Sequence, residues 1–264
     1  MSTRKPLSVS AAEMPAHRIA SLPSVTLDEV NGAASLQTRV DRKYILCQSE
    51  LAAVLAALVD RLSALEIEGQ RSFGYESVYF DTPNLECFHA AAYKRPKRCK
   101  IRTRSYVDSR KTMLEVKTKG TRAGTVKTRR PHEFDDRSVL DETAEQFIAV
   151  LLGHDGFRER LQPVLKTRYD RITLVDLGDA SRLTIDSGLR CTATSGASTG
   201  LDEVFIVETK RAGSPCVADR QLWANGLRPI KISKFGTSLA ALDESLPSNK
   251  WHRTLTTYFS EVGK

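Results

Sequence analysis

The chain has 264 residues, 41% hydrophobic and 27% charged, an ordinary globular balance that excludes wholesale disorder and suits one large domain or two small ones. Forty Lys and Arg against 32 Asp and Glu give a net charge of +8 and a pI near 9.3, so an anionic partner is expected, with phosphate, nucleic acid and membrane surface all open. The five cysteines are scattered and never spaced C-x-x-C, no run of about 18 apolar residues occurs, and no apolar segment follows Arg4 and Lys5; zinc site, disulfide framework, membrane insertion and signal peptide are not expected, and a reducing cytoplasm is.

Residues 1–24, rich in Ser, Ala and Pro, read as a flexible leader outside the fold. Apolar residues from Val25 to Gln37 suggest a short helix, and Val40 to Cys47 reads as a strand. Ser49 is the expected N-cap of a helix carrying Leu51, Val54, Leu55, Leu58, Val59 and Leu62 on one face. Strands follow at Tyr75 to Phe80, Arg98 to Tyr106, Thr112 to Lys119, Thr125 to Arg130, Val164 to Val175, Arg182 to Leu189 and Val204 to Lys210, about eight in all. Helices are expected at Asp141 to Leu152 closed by Gly153, at Val217 to Ala224 closed by Gly226, and at Thr237 to Glu244. A main domain over 25–250 and a tail over 251–264 complete the division.

Successive strand side chains point to opposite faces, so residues of equal parity share one. Lys100, Arg102 and Arg104 fall together; so do Glu115, Lys117 and Lys119, against Leu114 and Val116; Lys127 and Arg129 repeat the pattern. Arg182, Thr184 and Asp186 oppose Leu183 and Ile185, and Ile206, Glu208 and Lys210 oppose Phe205, Val207 and Thr209. One such strand is explained by a polar face in water. Five strands biased toward Lys and Arg form a surface that repels itself unless an anion neutralises it. The expected architecture is α+β, a closed eight-stranded antiparallel β-barrel with a basic lumen for a polyanion, its apolar faces buried outside under helices such as the one around Leu222 and Trp223.

The segments Arg39-Val40-Asp41-Arg42-Lys43-Tyr44, Ser77-Val78-Tyr79-Phe80-Asp81-Thr82, Lys100-Ile101-Arg102-Thr103-Arg104, Leu114-Glu115-Val116-Lys117-Thr118-Lys119, Tyr169-Asp170-Arg171, Arg182-Leu183-Thr184-Ile185-Asp186, Val207-Glu208-Thr209-Lys210 and Ser233-Lys234-Phe235 together resemble the VTC (vacuolar transporter chaperone) catalytic domain. That family is a branch of the triphosphate tunnel metalloenzymes that includes polyphosphate polymerases. The resemblance covers roughly Val25 to Leu246 and implies that Lys43, Arg102, Arg104, Lys117, Arg171, Arg182 and Lys234 contact phosphates. Lys100, Lys119, Lys127, Arg129, Lys210 and Ser233 join them as ligand-binding residues. It further implies that Glu208 holds Mn²⁺ or Mg²⁺, with Glu115, Asp41 or Asp186 as helpers. The wider superfamily's Glu-x-Glu-x-Lys signature is replaced here by Arg39, Asp41 and Lys43, which fits the VTC branch better than a thiamine-triphosphatase or an adenylate cyclase.

Phosphoryl transfer needs in-line positioning and charge neutralisation more than a nucleophilic side chain, and Arg and Lys supply both. The expected reaction passes the γ-phosphoryl of ATP to a growing polyphosphate end with release of ADP; with water as acceptor the same groups make a triphosphatase. No Walker A string or Gly-rich dinucleotide loop offers a rival cradle. A polyphosphate-binding module without catalysis is the alternative from another class. Nucleic acid is not the expected partner, because the run Lys94 to Arg98 has few aromatics for base stacking. The five histidines are dispersed and receive no role, and Cys99, Tyr79, Phe80 and Phe88 read as packing. Ser77 and Tyr79 acquire another role only if their strand turns them inward.

Overall fold

The computed structural model describes residues 13–33, 40–119, 125–153, 157 and 159–259. Along the chain run α1 (Glu13–Ala20), β1 (Ser24–Val25), α2 (Leu27–Ala33), β2 (Val40–Cys47), α3 (Gln48–Ala57), β3 (Ser63–Leu65), β4 (Ser72–Asp81), α4 (Glu86–Ala92), β5 (Cys99–Tyr106), β6 (Lys111–Lys119) and β7 (Thr125–His132). Then come α5 (Glu142–Leu152), β8 (Gln162–Asp176), β9 (Ser181–Ala193), β10 (Ser198–Leu201), β11 (Val204–Arg211), α6 (Val217–Ala224), α7 (Gly236–Leu242), a 3₁₀ turn (Asn249–Trp251) and α8 (His252–Tyr258). Every strand expected from alternation is present. The chain divides into two compact units, one of residues 1–72, 172–186 and 203–230, the other of 73–171, 187–202 and 231–264.

In the first unit the strand order is β2-β11-β9-β8-β3-β1, antiparallel except for the β1–β3 pair. One face of β2, β11 and β9 buries Tyr44, Leu46, Val207, Leu183 and Ile185. Leu51, Val54 and Leu55 of α3 and Ala218 and Leu222 of α6 close over that cluster, as the parity of the strands requires. Because β2 runs into α3 without a loop, Cys47 and not Ser49 takes the N-cap position, and its amide donates to Glu50 Oε2 at 2.8 Å. In the first turn of α6, the buried Asp219 accepts from Tyr44 Oη (2.7 Å), Thr209 Oγ1 (2.6 Å), the Cys216 amide (2.9 Å) and Arg42 Nη1 (3.2 Å). Burial works to raise its carboxyl, but the hydroxyls of Thr209 and Tyr44 prevail and hold it below its usual value.

The leader expected over 1–24 is partly ordered: Ile19 and Leu22 join this core, and Arg71 Nη1 donates to the carbonyls of Ile19 (2.7 Å) and Leu22 (2.8 Å). Two buried apolar residues and a distant arginine leave no periodicity to read in the sequence. Residues 1–12, the end of the helix expected to Gln37, Arg39 and residues 260–264 lie outside the described residues.

In the second unit the order is β10-β9-β8-β4-β5-β6-β7. Asp81, at the end of β4, shapes the start of α4, accepting from the amides of Thr82 (2.9 Å), Cys87 (2.8 Å) and Phe88 (2.9 Å). Asp141 caps α5 through the Ala144 amide at 2.7 Å, and Gly153 ends it at φ +63°, a conformation glycine adopts without strain. Tyr79, Phe88, Phe235 and Trp251 form an aromatic cluster with centroids 5.1 to 6.4 Å apart. The Trp251 ring lies where a Cβ on Gly236 would fall, so that position requires glycine. The expected tail is thus fold from Trp251 to Phe259, both buried.

The antiparallel α+β class stands, but among the described residues the strand pairing does not close into the expected barrel. The pairing path ends at β2 in one unit and β7 in the other, each with one strand partner among the described residues. Strand β7 has edge character: Pro131 gives it a residue without an amide donor, and it carries Lys127, Arg129 and Arg130.

Candidate functional site

Register decides which side chains of the second unit share a face. Ser77 lies opposite Arg104 and Tyr79 opposite Arg102 across β4 and β5. Lys100 opposes Lys117 and Arg102 opposes Glu115 across β5 and β6, and Lys117 and Glu115 oppose Lys127 and Arg129 of β7. Lys119 continues the row. Residues directly opposite project to the same side. Lys100, Arg102, Arg104, Lys117, Lys119, Lys127 and Arg129 therefore share one surface with Glu115, the only carboxylate on that face of β5, β6 and β7.

Glu115 is 1% exposed, and its oxygens are spoken for: Arg102 Nε and Nη2 donate to Oε2 at 2.8 and 2.6 Å, and Lys127 Nζ to Oε1 at 3.3 Å. Burial alone would raise this carboxyl, yet Arg102, Arg104 and Lys127 overcome it and hold Glu115 well below the usual carboxylate range. Burial also pushes the Lys127 ammonium down, more than its pairing with Glu115 pulls it up.

Several neighbouring cations rest on tyrosine. Tyr75 and Tyr169 stack with centroids 5.5 Å apart; Arg171 lies 5.1 and 5.3 Å from the two rings, Arg104 5.6 Å from Tyr75, and Lys234 4.2 Å from Tyr169. Burial raises the Tyr75 phenol to about 12, so it stays neutral. Lys100 Nζ reaches Ser233 Oγ at 3.1 Å, and Ser233 precedes α7, whose Gly236 amide donates to the same oxygen at 3.1 Å. Arg104 Nη2 donates to Tyr169 Oη at 3.2 Å, but its Nε, and Ser77 Oγ opposite it, are buried without a hydrogen-bond partner among the described residues. Buried donors left in this state cost about 1–3 kcal/mol each, and a ligand acceptor recovers that cost.

The first unit carries a different charged face. Across β2, β11 and β9 the register aligns Asp41 with Lys210 and Arg182, and Lys43 with Glu208 and Thr184, while Asp186 lies beside Ile206. Lys210 Nζ pairs with Glu208 Oε2 at 2.9 Å, Asp186 is buried, and Arg182 Nη2 donates to the Val30 carbonyl at 3.0 Å. Thr184 Oγ1, between Arg182 and Asp186, is buried without a partner among the described residues. Carboxylates and cations alternate here, so this face neutralises itself. Among the described residues no three His, Cys, Asp or Glu side chains cluster as a preformed metal site. Glu208 with Asp186 diagonally across the strands still suits a hard cation such as Mg²⁺, which commonly takes one or two carboxylates and completes its shell with water and phosphate oxygens.

The register thus assembles Lys100, Arg102, Arg104, Lys117, Lys119, Lys127, Arg129 and Glu115 on one face, with Arg171, Ser233 and Lys234 tied to it through Tyr169 and Lys100. Asp41, Lys43, Arg182, Asp186, Glu208 and Lys210 lie on the other. Sequence reasoning missed Tyr75 and left Ser77 and Tyr79 undecided; the signal was their shared parity against Glu76, Val78 and Phe80. Phe80 and Phe88 are core, as expected.

Solved structures similar in fold include a conserved hypothetical protein from Pyrococcus furiosus, 14% identical, covering 72% of this chain and 88% of that one, with a TM-score of 0.37. A putative adenylyl cyclase from Hippeastrum, described as having a dominant triphosphatase activity, is 12% identical over 76% of this chain and 94% of its own, with a TM-score of 0.45. The PH1012 protein of Pyrococcus horikoshii is 12% identical over 72% of this chain and 87% of its own, with a TM-score of 0.36. No curated protein matches the sequence. Among the described residues no helix is long and apolar enough to cross a membrane. The VTC domain model matches residues 38–243, a span that includes both charged faces, and the chain belongs to the VTC domain family.

Proposed function

We propose that the protein binds the phosphates of ATP and of inorganic polyphosphate and, with Mn²⁺ or Mg²⁺, transfers the γ-phosphoryl of ATP to a polyphosphate end, leaving ADP. The observation that carries this reading is the cation excess around Glu115, together with the unsatisfied Arg104 Nε and Ser77 Oγ on the same face. Those groups fit a ligand with several anionic oxygens. In this reading Arg102 and Arg104 take phosphate oxygens in pairs, and Lys100, Lys117, Lys127 and Lys234 act as point charges. Glu115 acts as a positioning residue that fixes the Arg102 guanidinium, because both its oxygens already accept from cations, and the metal falls to Glu208 with Asp41 and Asp186 beside it. Lys43, Arg182 and Lys210 neutralise phosphate on that face. The metal, when bound, withdraws charge from the leaving phosphate.

The VTC family and a face rich in cations support phosphoryl chemistry on triphosphates; the acceptor is what the reading adds. Incubating the purified protein with ATP and Mn²⁺ tests it. Acid-stable polymer and ADP are expected. ADP and free phosphate without polymer would make the protein a triphosphatase, and tripolyphosphate binding without turnover would make it a binding module. A cytoplasmic location belongs to the same proposal and is checked by fractionating cells that produce the protein.

A further inference from the structure

Two thiols meet where α4 packs on β5. Cys87, in the first turn of α4, is 1% exposed, and its Sγ lies 3.0 Å from Sγ of Cys99, the first residue of β5. Cys99 pairs with Thr118 and, by parity, points to the side of β5 opposite Lys100 and Arg102. The two sulfurs are unequal: Cys99 is partly exposed, whereas Cys87 is enclosed, its amide held by Asp81 Oδ1 at 2.8 Å. Both line an open cavity of about 350 Å³ whose wall includes Lys97, Arg98 and Lys119. A small uncharged oxidant can thus reach Cys99 through this cavity. The hydrogen bond to Cys99 and burial push the Cys87 thiol up, which keeps the proton on the inner sulfur.

We infer that Cys87 and Cys99 are a reversible dithiol–disulfide couple, with Cys99 the sulfur that meets hydroperoxide and Cys87 the sulfur that resolves it. The Cys99 thiolate, its proton given to solvent, attacks the peroxide; an S–O bond forms, the O–O bond breaks, and the departing hydroxide, or alkoxide from an organic hydroperoxide, takes that proton back from solvent to leave as water or alcohol. Cys87 then attacks the Cys99 sulfenic acid; the S–S bond forms, the S–O bond breaks, and the hydroxide takes the Cys87 proton to leave as a second water. With hydrogen peroxide, two thiols lose two electrons and one peroxide becomes two waters. Closing the sulfurs to a bond of about 2.05 Å needs an approach of about 1 Å, small for a one-turn helix start. Reducing compartments admit such disulfides as redox-responsive links. Cys47, Cys191 and Cys216 have no second thiol as a recorded neighbour among the described residues and serve as internal controls.

The test reads sulfur and is independent of the phosphoryl-transfer reading. The native full-length protein is exposed to hydrogen peroxide, quenched, denatured and labelled with a maleimide. The expected result is three labelled cysteines in place of five, an intact mass lower by two hydrogens before labelling, a Cys87–Cys99 cross-linked peptide, and recovery of five labels after dithiothreitol. Cys99→Ser abolishes the link, and Cys87→Ser leaves a sulfenic acid on Cys99 that dimedone traps. Retention of five labels in the wild type, a cross-link between other cysteines, or loss of two labels in Cys99→Ser would overturn the inference. Because Cys87 is buried, Cys87→Ala is made in parallel, and the Cys99 variants decide the matter if neither Cys87 variant folds.

Discussion

The two charged faces are built by the same strand rule and reach opposite charge balances. In the first unit Asp41, Glu208 and Asp186 sit among Lys43, Lys210 and Arg182, and the Lys210–Glu208 pair at 2.9 Å shows charge compensated within the protein. In the second unit one carboxylate, Glu115, shares its face of β5, β6 and β7 with seven Lys and Arg, and aromatic rings and hydroxyls hold others beside it. A balanced face is stable empty and can lend a carboxylate to a cation. A face with an excess of cations carries repulsion that a bound anion relieves. Under the proposed function the first face would hold the metal and part of the phosphate and the second most of the phosphate, and each can be broken by itself.

Removing the lone carboxylate should have the largest effect. Glu115→Gln leaves the Arg102 guanidinium buried with half its partner lost, and unfolding free energy should fall by about 3–5 kcal/mol in a urea titration at neutral pH. The pH dependence has a definite sign. Because the folded carboxyl lies below its ordinary value, its stabilisation is complete above the usual carboxylate range and is lost as pH falls beneath it. The gap between wild type and Glu115→Gln should therefore narrow from pH 7 toward pH 3; a constant gap would mean that packing, not charge, holds the pair.

On the balanced face, Glu208→Gln removes the carboxylate assigned to the metal. Turnover of ATP should fall about 100-fold or more, while tripolyphosphate affinity, measured by calorimetry, changes less than about threefold. Equal losses in both would erase the division of tasks. Next in size is Arg104→Ala, which takes a charged donor from the unbalanced face and should weaken tripolyphosphate binding by about 10- to 150-fold, corresponding to about 1.5–3 kcal/mol. Lys43→Ala, on the face with its own counter-charges, should cost less.

What could be read from the sequence follows the same division. Lys and Arg are unambiguous markers of strand parity, so β5, β6, β9 and β11 and their cationic residues were visible. Tyr and Ser are not: Tyr75, Ser77 and Tyr79 suit a core or a ligand face equally, and only pairing with Arg104 and Arg102 decides. Asp219 was invisible because its partner Tyr44 lies 175 positions away. Closure of the sheet depends on what the end strands pair with, and Lys127 and Arg129 of β7 were read as lumen pattern when charges on a strand that also holds Pro131 equally suit an edge. Helix α4 escaped because its amides are satisfied by Asp81, a residue of the preceding strand, and no capping residue stands at Leu85.

The smallest change sharpens the comparison most finely. Tyr169 Oη accepts from Arg104 Nη2 at 3.2 Å, so Tyr169→Phe removes a neutral acceptor, keeps the ring under Lys234 and Arg171, and should cost about 1 kcal/mol of stability. If the unbalanced face waits for an anion, that loss falls on the empty protein, because a phosphate oxygen is the stronger acceptor and replaces the phenol in the complex. Destabilising the empty state more than the bound one tightens binding, and tripolyphosphate affinity should rise by up to about fivefold, the equivalent of about 1 kcal/mol. Weaker binding would mean instead that the phenol aims Arg104 in the complex itself, and the face would then be a preformed cradle whose hydroxyls share in holding the ligand.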